Sequence, residues 1–248
     1  MASILFAGDP EVIAGISSFV DEGYELYGLF FDEEESASER IRSVESFQEL
    51  PEDPVAVFLL STRDDGEIES TLAFLDYELS QKGIPLFVNT LFTTATEVSA
   101  LVGDRFPVIG ISWIPGLTNV AELLEAAPAL QVGEEEKAHS LKLLGSLIPG
   151  NVEVVEDRVG LVSARILAMI VNEAAFAVME GVADPEDIDT AMKLGTNYPE
   201  GPLAWVDRVG ADVFVGILNA LQEEYGEERY RPCVLLKQYA RGGIHFHS

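Results

Sequence analysis

Residues 3–12, SILFAGDPEV, decide the fold class. Ser3–Ala7 is a short apolar run of the kind that forms a buried strand. Asp9, Pro10 and Glu11 then supply an N-cap, a first-turn proline and a first-turn acid, which predicts a helix to about Glu22. The same alternation continues downstream. Strands are expected at Leu26–Phe31, Val55–Leu60, Leu86–Asn89, Val108–Ser112 and Val152–Val155, with helices at Asp65–Gln81 and Glu134–Ser146. Strands alternating with helices imply a parallel sheet covered on its faces.

Past Asp157 the texture changes. Leu161–Val182 is long, mostly apolar and helical, with little polar face, so it is expected to be buried on most sides. Shorter helices follow at Pro185–Leu194, capped by Asp184 and stopped by Gly195, at Gly210–Tyr225 and at Cys233–Arg241. Ile244–His247 is the one candidate strand there. The expected division is a sheet domain over residues 1–157 and a helical domain over 158–248.

The chain has 248 residues, 43 of them acidic and 15 basic, for a net charge of −28. Residues 1–157 carry 30 acidic and 7 basic side chains, a net of −23, and residues 158–248 carry −5. Such a balance argues against nucleic acid, which needs a Lys/Arg footprint, and against an anionic membrane surface. It suits an acidic solubility face or salty surroundings. The single cysteine, Cys233, allows no internal disulfide and no cysteine zinc cluster. The opening residues lack a basic leader and no apolar run is long enough to span a bilayer, so a cytoplasmic protein is expected.

The second half resembles the C-terminal domain of the 3-hydroxyacyl-CoA dehydrogenase family. The likeness runs through Asp157–Leu161, Asn172-Glu173-Ala174, Glu180–Ala183, Glu186–Gly195, Tyr198–Leu203 and Arg229–Pro232. The first half looks like a shortened form of the family's NAD-binding domain. The resemblance implies an α/β Rossmann-like parallel-sheet domain followed by an all-α domain. It also implies NAD as cofactor, a homodimer through the helical domain, and oxidation of a 3-hydroxyacyl-CoA.

The family's site residues transfer poorly. Oxidising a secondary alcohol requires a base within hydrogen-bond reach of its hydroxyl. The family's histidine falls on Ser112, within Gly110–Gly116, and its orienting glutamate falls on Glu125 with a one-residue insertion. Read from the residues alone, Glu125 and Glu122 are exposed helix carboxylates. The family's substrate-contacting asparagine falls on Ala164, and the first serine of its Asn-Thr-Ser-Ser falls on Leu91. Asn89, Thr90 and Thr93 remain as candidate residues of a substrate cleft. His139, His245 and His247 offer no replacement base, and no metal site is expected. His245 and His247 read as a flexible tail.

The cofactor fingerprint is also degraded. Its three glycines fall on Phe6, Gly8 and Glu11, so Gly8 survives alone. Asp9 is expected to cap the amides that would hold a pyrophosphate, and Glu11 adds a second carboxylate. Like charges a few Å apart cost about 1–4 kcal/mol between watery and surface-like dielectrics. Asp32 stands at the place of the ribose-binding acid. The family's long hairpin after the second strand is missing, and Glu33–Asp53 holds only Arg40 and Arg42 as cations.

Three readings follow from the sequence. The first is a family member that keeps the fold and the dimer, with an unidentified small-molecule ligand, and has lost the dehydrogenase chemistry. The second is an active NAD(P)-dependent oxidoreductase with a rearranged site at Thr93, Thr94, Ser112 and Tyr198. The third is a structural or interaction module.

Overall fold

A computed structural model describes residues 2–30, 38–44, 49–61, 83–119 and 122–247. They form two compact units, Met1–Leu161 and Val162–Ser248. The helix expected at Asp65–Gln81 lies outside the described residues.

The first unit is built on one eight-stranded sheet. Its strands are β1 (Ser3–Gly8), β2 (Glu25–Leu29), β3 (Ile41–Ser43), β4 (Ala56–Leu60), β5 (Leu86–Asn89), β6 (Val108–Ile111), β7 (Leu123–Pro128) and β8 (Asn151–Val154). They lie in the order β3-β2-β1-β4-β5-β6-β7-β8. All pairings are parallel except that of β6 with β7. β3 and β7 lie outside the strands expected from the sequence.

Both faces of the sheet are covered, as the continuous apolar runs required. Alternate residues divide between the faces. Ile4, Phe6, Phe58, Phe87, Ile109 and Ile111 form one core with Val12, Ile13 and Ile16 of α1 (Pro10–Ser17). Leu5, Ala7, Val57, Leu59, Leu86 and Val88 form the other with Ala95, Val98 and Val102 of α2 (Ala95–Val102). The helix α3 (Glu134–Leu147) adds Leu144 and Leu147 to the first core.

α1 stops earlier than expected, at Ser17 rather than Glu22. The Arg40 guanidinium donates to the carbonyls of Ser17 at 3.2 Å and Asp21 at 2.6 Å, and to that of Val20. A cation thus satisfies the carbonyls at the end of the helix.

The second unit is helical: α4 (Ser163–Met179), α5 (Pro185–Thr196), α6 (Pro202–Val209), α7 (Ala211–Tyr225) and α8 (Val234–Gly242). α5 runs through Gly195 and ends with Asn197 in the left-handed region, φ 56°. α6 was not anticipated; Pro202 opens it, at the first helical position where a proline needs no amide hydrogen. α4 is not buried on most sides. It buries Ala164, Ala168, Val171 and Ala175 and leaves Val162, just before it, and Ile166 about half exposed. Ile244–His247 forms no strand. Among the described residues no helix is long and apolar enough to cross a membrane.

Gly8 is required where it stands. It has φ +121°, and a Cβ there would overlap the Leu60 carbonyl oxygen. A left-handed conformation costs an L-residue about 1–2 kcal/mol, and the clash adds to it. Gly8→Ala is therefore expected to destabilise the chain by at least about 2 kcal/mol in urea unfolding.

Candidate functional site

In open α/β sheets, ligands bind beyond the carboxyl ends of the strands, at the point where the strand order reverses. Here that point lies between β1 and β4. The two strands stay paired to the end, Gly8 opposite Leu60, and the Asp9 amide donates to the Leu60 carbonyl at 2.8 Å.

α1 begins two residues after Gly8, so Gly8 makes the tight strand-to-helix turn. That is the work of the first glycine of a dinucleotide fingerprint, not of the middle one. The structure thus moves the match by two residues. The close-approach position becomes Pro10, and the helix-packing position becomes Ile13, fully buried. Phe6 lies in the core, its ring stacked on Phe58 with centroids 5.1 Å apart. Glu11 is exposed, while the Asp9 carboxylate accepts from the Glu11 amide at 3.0 Å. Asp32 and Glu33–Glu35 lie outside the described residues.

At the ends of β5 and β6 the polar side chains turn inward. The Asn89 amide donates to the carbonyls of Ser61 at 3.1 Å and Trp113 at 3.0 Å, and its oxygen accepts from the Trp113 amide at 2.9 Å. Asn89 therefore ties three strand ends together. Thr90 donates its hydroxyl to the Ile111 carbonyl at 3.1 Å. Thr93 donates to Glu97 at 2.8 Å, beside the Thr94 capping box of α2. Leu91 is fully buried. All three expected cleft residues thus make hydrogen bonds within the chain.

Ser112 and Glu125 each lie one residue past the last β6–β7 pair. β6 and β7 pair in antiparallel register up to Ile111 and Ala126; Ser112 directly follows β6, and Glu125 is the next residue along β7. Glu125 is neither on a helix nor exposed: it sits on β7 and is buried. The misreading came from β7 itself, an Ala-rich run with none of the β-branched residues that mark strands. The Ser112 hydroxyl is buried and makes no hydrogen bond within the described structure. Asp157 accepts from the amides of Ala95 at 2.9 Å and Thr96 at 2.8 Å, so it caps α2 from a distant segment. No sequence signal pointed to this role.

His139 is on α3. In the helical unit Ala164 is buried in α4. His247 is held rather than loose. Its Nδ1 lies 2.8 Å from Asp207, its Nε2 lies 3.4 Å from Asp189, and Asp207 accepts from the Phe246 and His247 amides. His245 lies 3.7 Å from Asp207. Among the described residues no cluster of three or more His, Cys, Asp or Glu side chains could hold a metal ion.

Comparison with known proteins gives this geometry its family. The family model described as "3-hydroxyacyl-CoA dehydrogenase, C-terminal domain" matches residues 160–244. A probable 3-hydroxybutyryl-CoA dehydrogenase of Bacillus subtilis is 39% identical over 155 residues, which cover 62% of this chain and 53% of that protein. A 3-hydroxybutyryl-CoA dehydrogenase of Clostridioides difficile is 30% identical over 201 residues, covering 81% of this chain and 70% of that one. The crystal structure of (S)-3-hydroxybutyryl-CoA dehydrogenase from Ralstonia eutropha superposes with a TM-score of 0.79 at 24% identity, over 99% of this chain and 95% of that one. The chain belongs to the 3-hydroxyacyl-CoA dehydrogenase family. It spans about half the length of the Bacillus protein.

The family's dinucleotide does not fit the turn after β1. A pyrophosphate needs close backbone approach and free amides at the helix N-terminus. Pro10 has no amide hydrogen, and the amides of Asp9 and Glu11 are committed within the chain.

Replacing Asn89 by alanine removes its three bonds to buried backbone groups. At about 1–3 kcal/mol for each group left without a partner, Asn89→Ala is expected to lower stability by at least about 2 kcal/mol. Guanidinium unfolding measures the loss.

Proposed function

We propose that this chain is a family member that does not oxidise 3-hydroxyacyl-CoA by the family's groups and that serves as a dimeric, fold-retaining protein. The observation that carries the reading is Ser112. By the resemblance it falls where the family has its base, and here it is a buried hydroxyl with no hydrogen-bond partner in the described structure. A neutral serine hydroxyl is far too weak a base to take up the substrate's proton near neutral pH, and general-base assistance is worth about 10²–10⁴ in rate. Leu91 and Ala164 remove two further polar contacts that the resemblance calls for. Arg40, one of the few cations near the second and third strands, already serves backbone carbonyls.

The dimer reading rests on α4. Val162, Ile166, Met169 and Ile170 follow helical spacing along one incompletely buried stripe, bordered by Arg165, Glu173 and Arg229. A two-fold interface needs a patch that complements itself. An apolar stripe edged by both signs of charge meets that need.

The test is a coupled assay: NADH or NADPH with acetoacetyl-CoA, and NAD with 3-hydroxybutyryl-CoA. The expected turnover is indistinguishable from background. Ordinary enzyme rates, about 1 s⁻¹ or faster, would sink the reading in favour of a rearranged active site. Light scattering is expected to give twice the monomer mass at micromolar concentration. Ile166→Asp should shift the chain to monomer while the far-ultraviolet circular dichroism stays unchanged.

A further inference from the structure

We infer that the Asp9 carboxylate is a built-in anion that takes the place of a ligand phosphate at the N-terminus of α1, making the nucleotide end of the sheet self-occupied. The inference goes beyond the loss of a catalytic base, since a chain without a base can still bind a dinucleotide.

Four observations meet at one turn. The helix N-terminus is the fold's anion site, positive by its dipole and its unpaired amides. Here the Asp9 side chain accepts from the Glu11 amide at 3.0 Å, so an anion is already present. The Asp9 amide donates to Leu60, and Pro10 has none to offer. The backbone at Gly8 is packed so closely on the Leu60 carbonyl that even a Cβ would overlap it. The surviving glycine is thus explained by contact with β4, and it is no sign of nucleotide approach. At the helix-packing position Ile13 fills the core between α1 and the sheet.

Phosphate would therefore have to displace a carboxylate held on the same chain at high effective concentration. An intramolecular anion in that position competes against every phosphate-bearing ligand alike, so NADH and inorganic pyrophosphate are equivalent probes of it.

The experiment titrates NADH by fluorescence and inorganic pyrophosphate by calorimetry into the unsubstituted chain, the double variant Asp9→Ala/Pro10→Gly, and Asp9→Asn. Circular dichroism establishes that each is folded. The unsubstituted chain is expected to show no saturable binding below about 1 mM. The double variant is expected to gain at least about tenfold in affinity for both probes, the scale of freeing one favourable anion–helix interaction. Asp9→Asn keeps an acceptor on the Glu11 amide but removes the negative charge, so it is also expected to gain affinity for both probes. Three results overturn the inference: micromolar NADH binding by the unsubstituted chain, a folded double variant that gains nothing, or a folded Asp9→Asn variant that gains nothing. Micromolar binding without turnover would defeat this inference and leave the non-dehydrogenase reading standing. If the double variant fails to fold, Asp9→Ala alone carries the same expectation.

Discussion

Carboxylates seated on the amide ends of helices hold this chain in its form. Asp9 does so for α1, Asp157 for α2 and Asp189 for α6, where it accepts from the Leu203 and Ala204 amides at 2.9 Å each. Asp157 and Asp189 are buried, and burying a carboxylate is costly unless donors surround it. Two amides aligned with a helix dipole provide such an environment. Because Asp157 and Asp189 come from outside the helices they cap, the bond also fixes where each helix lies within its unit. Gly201 is glycine for this reason, since a Cβ there would collide with the Asp189 side chain. Acidity that reads in composition as a surface property is, at these positions, part of the interior.

The same economy governs the carboxyl end of the sheet. Asn89, Thr90 and Thr93 are polar residues at strand and helix ends, where ligand contacts are commonly found, yet each is spent on neighbouring backbone or a cap. Family membership fixes the architecture, and the architecture leaves the chemistry open. Here Asn89, Thr90 and Thr93 at the rim of the sheet hydrogen-bond within the chain.

Much of the fold was legible because parallel strands buried on both faces write unbroken apolar runs. β1, β4, β5 and β6 all read correctly in this way, and Asp9 and Pro10 marked the start of α1. β7 was missed because its alanines carry no strand signal, and with it the placement of Glu125. β3 is too short to show a period. α6 was not anticipated although Pro202 opens it. The roles of Asp157, Asp189 and Arg40 could not be read at all, because each acts on backbone far away in sequence. The tail histidine was misjudged for the same reason: what holds His247 is on α5 and α6, not beside it.

β8 carries one more consequence. It is the outermost strand of the sheet on its side, only four residues long and largely exposed, with Glu153 within it and Glu156 just beyond. An unpaired strand edge is a template on which another chain can add. A short edge studded with carboxylates makes a poor template, because each added copy would bring its own charges against them. Part of the protection of this molecule against aggregation is therefore written at that margin of the sheet.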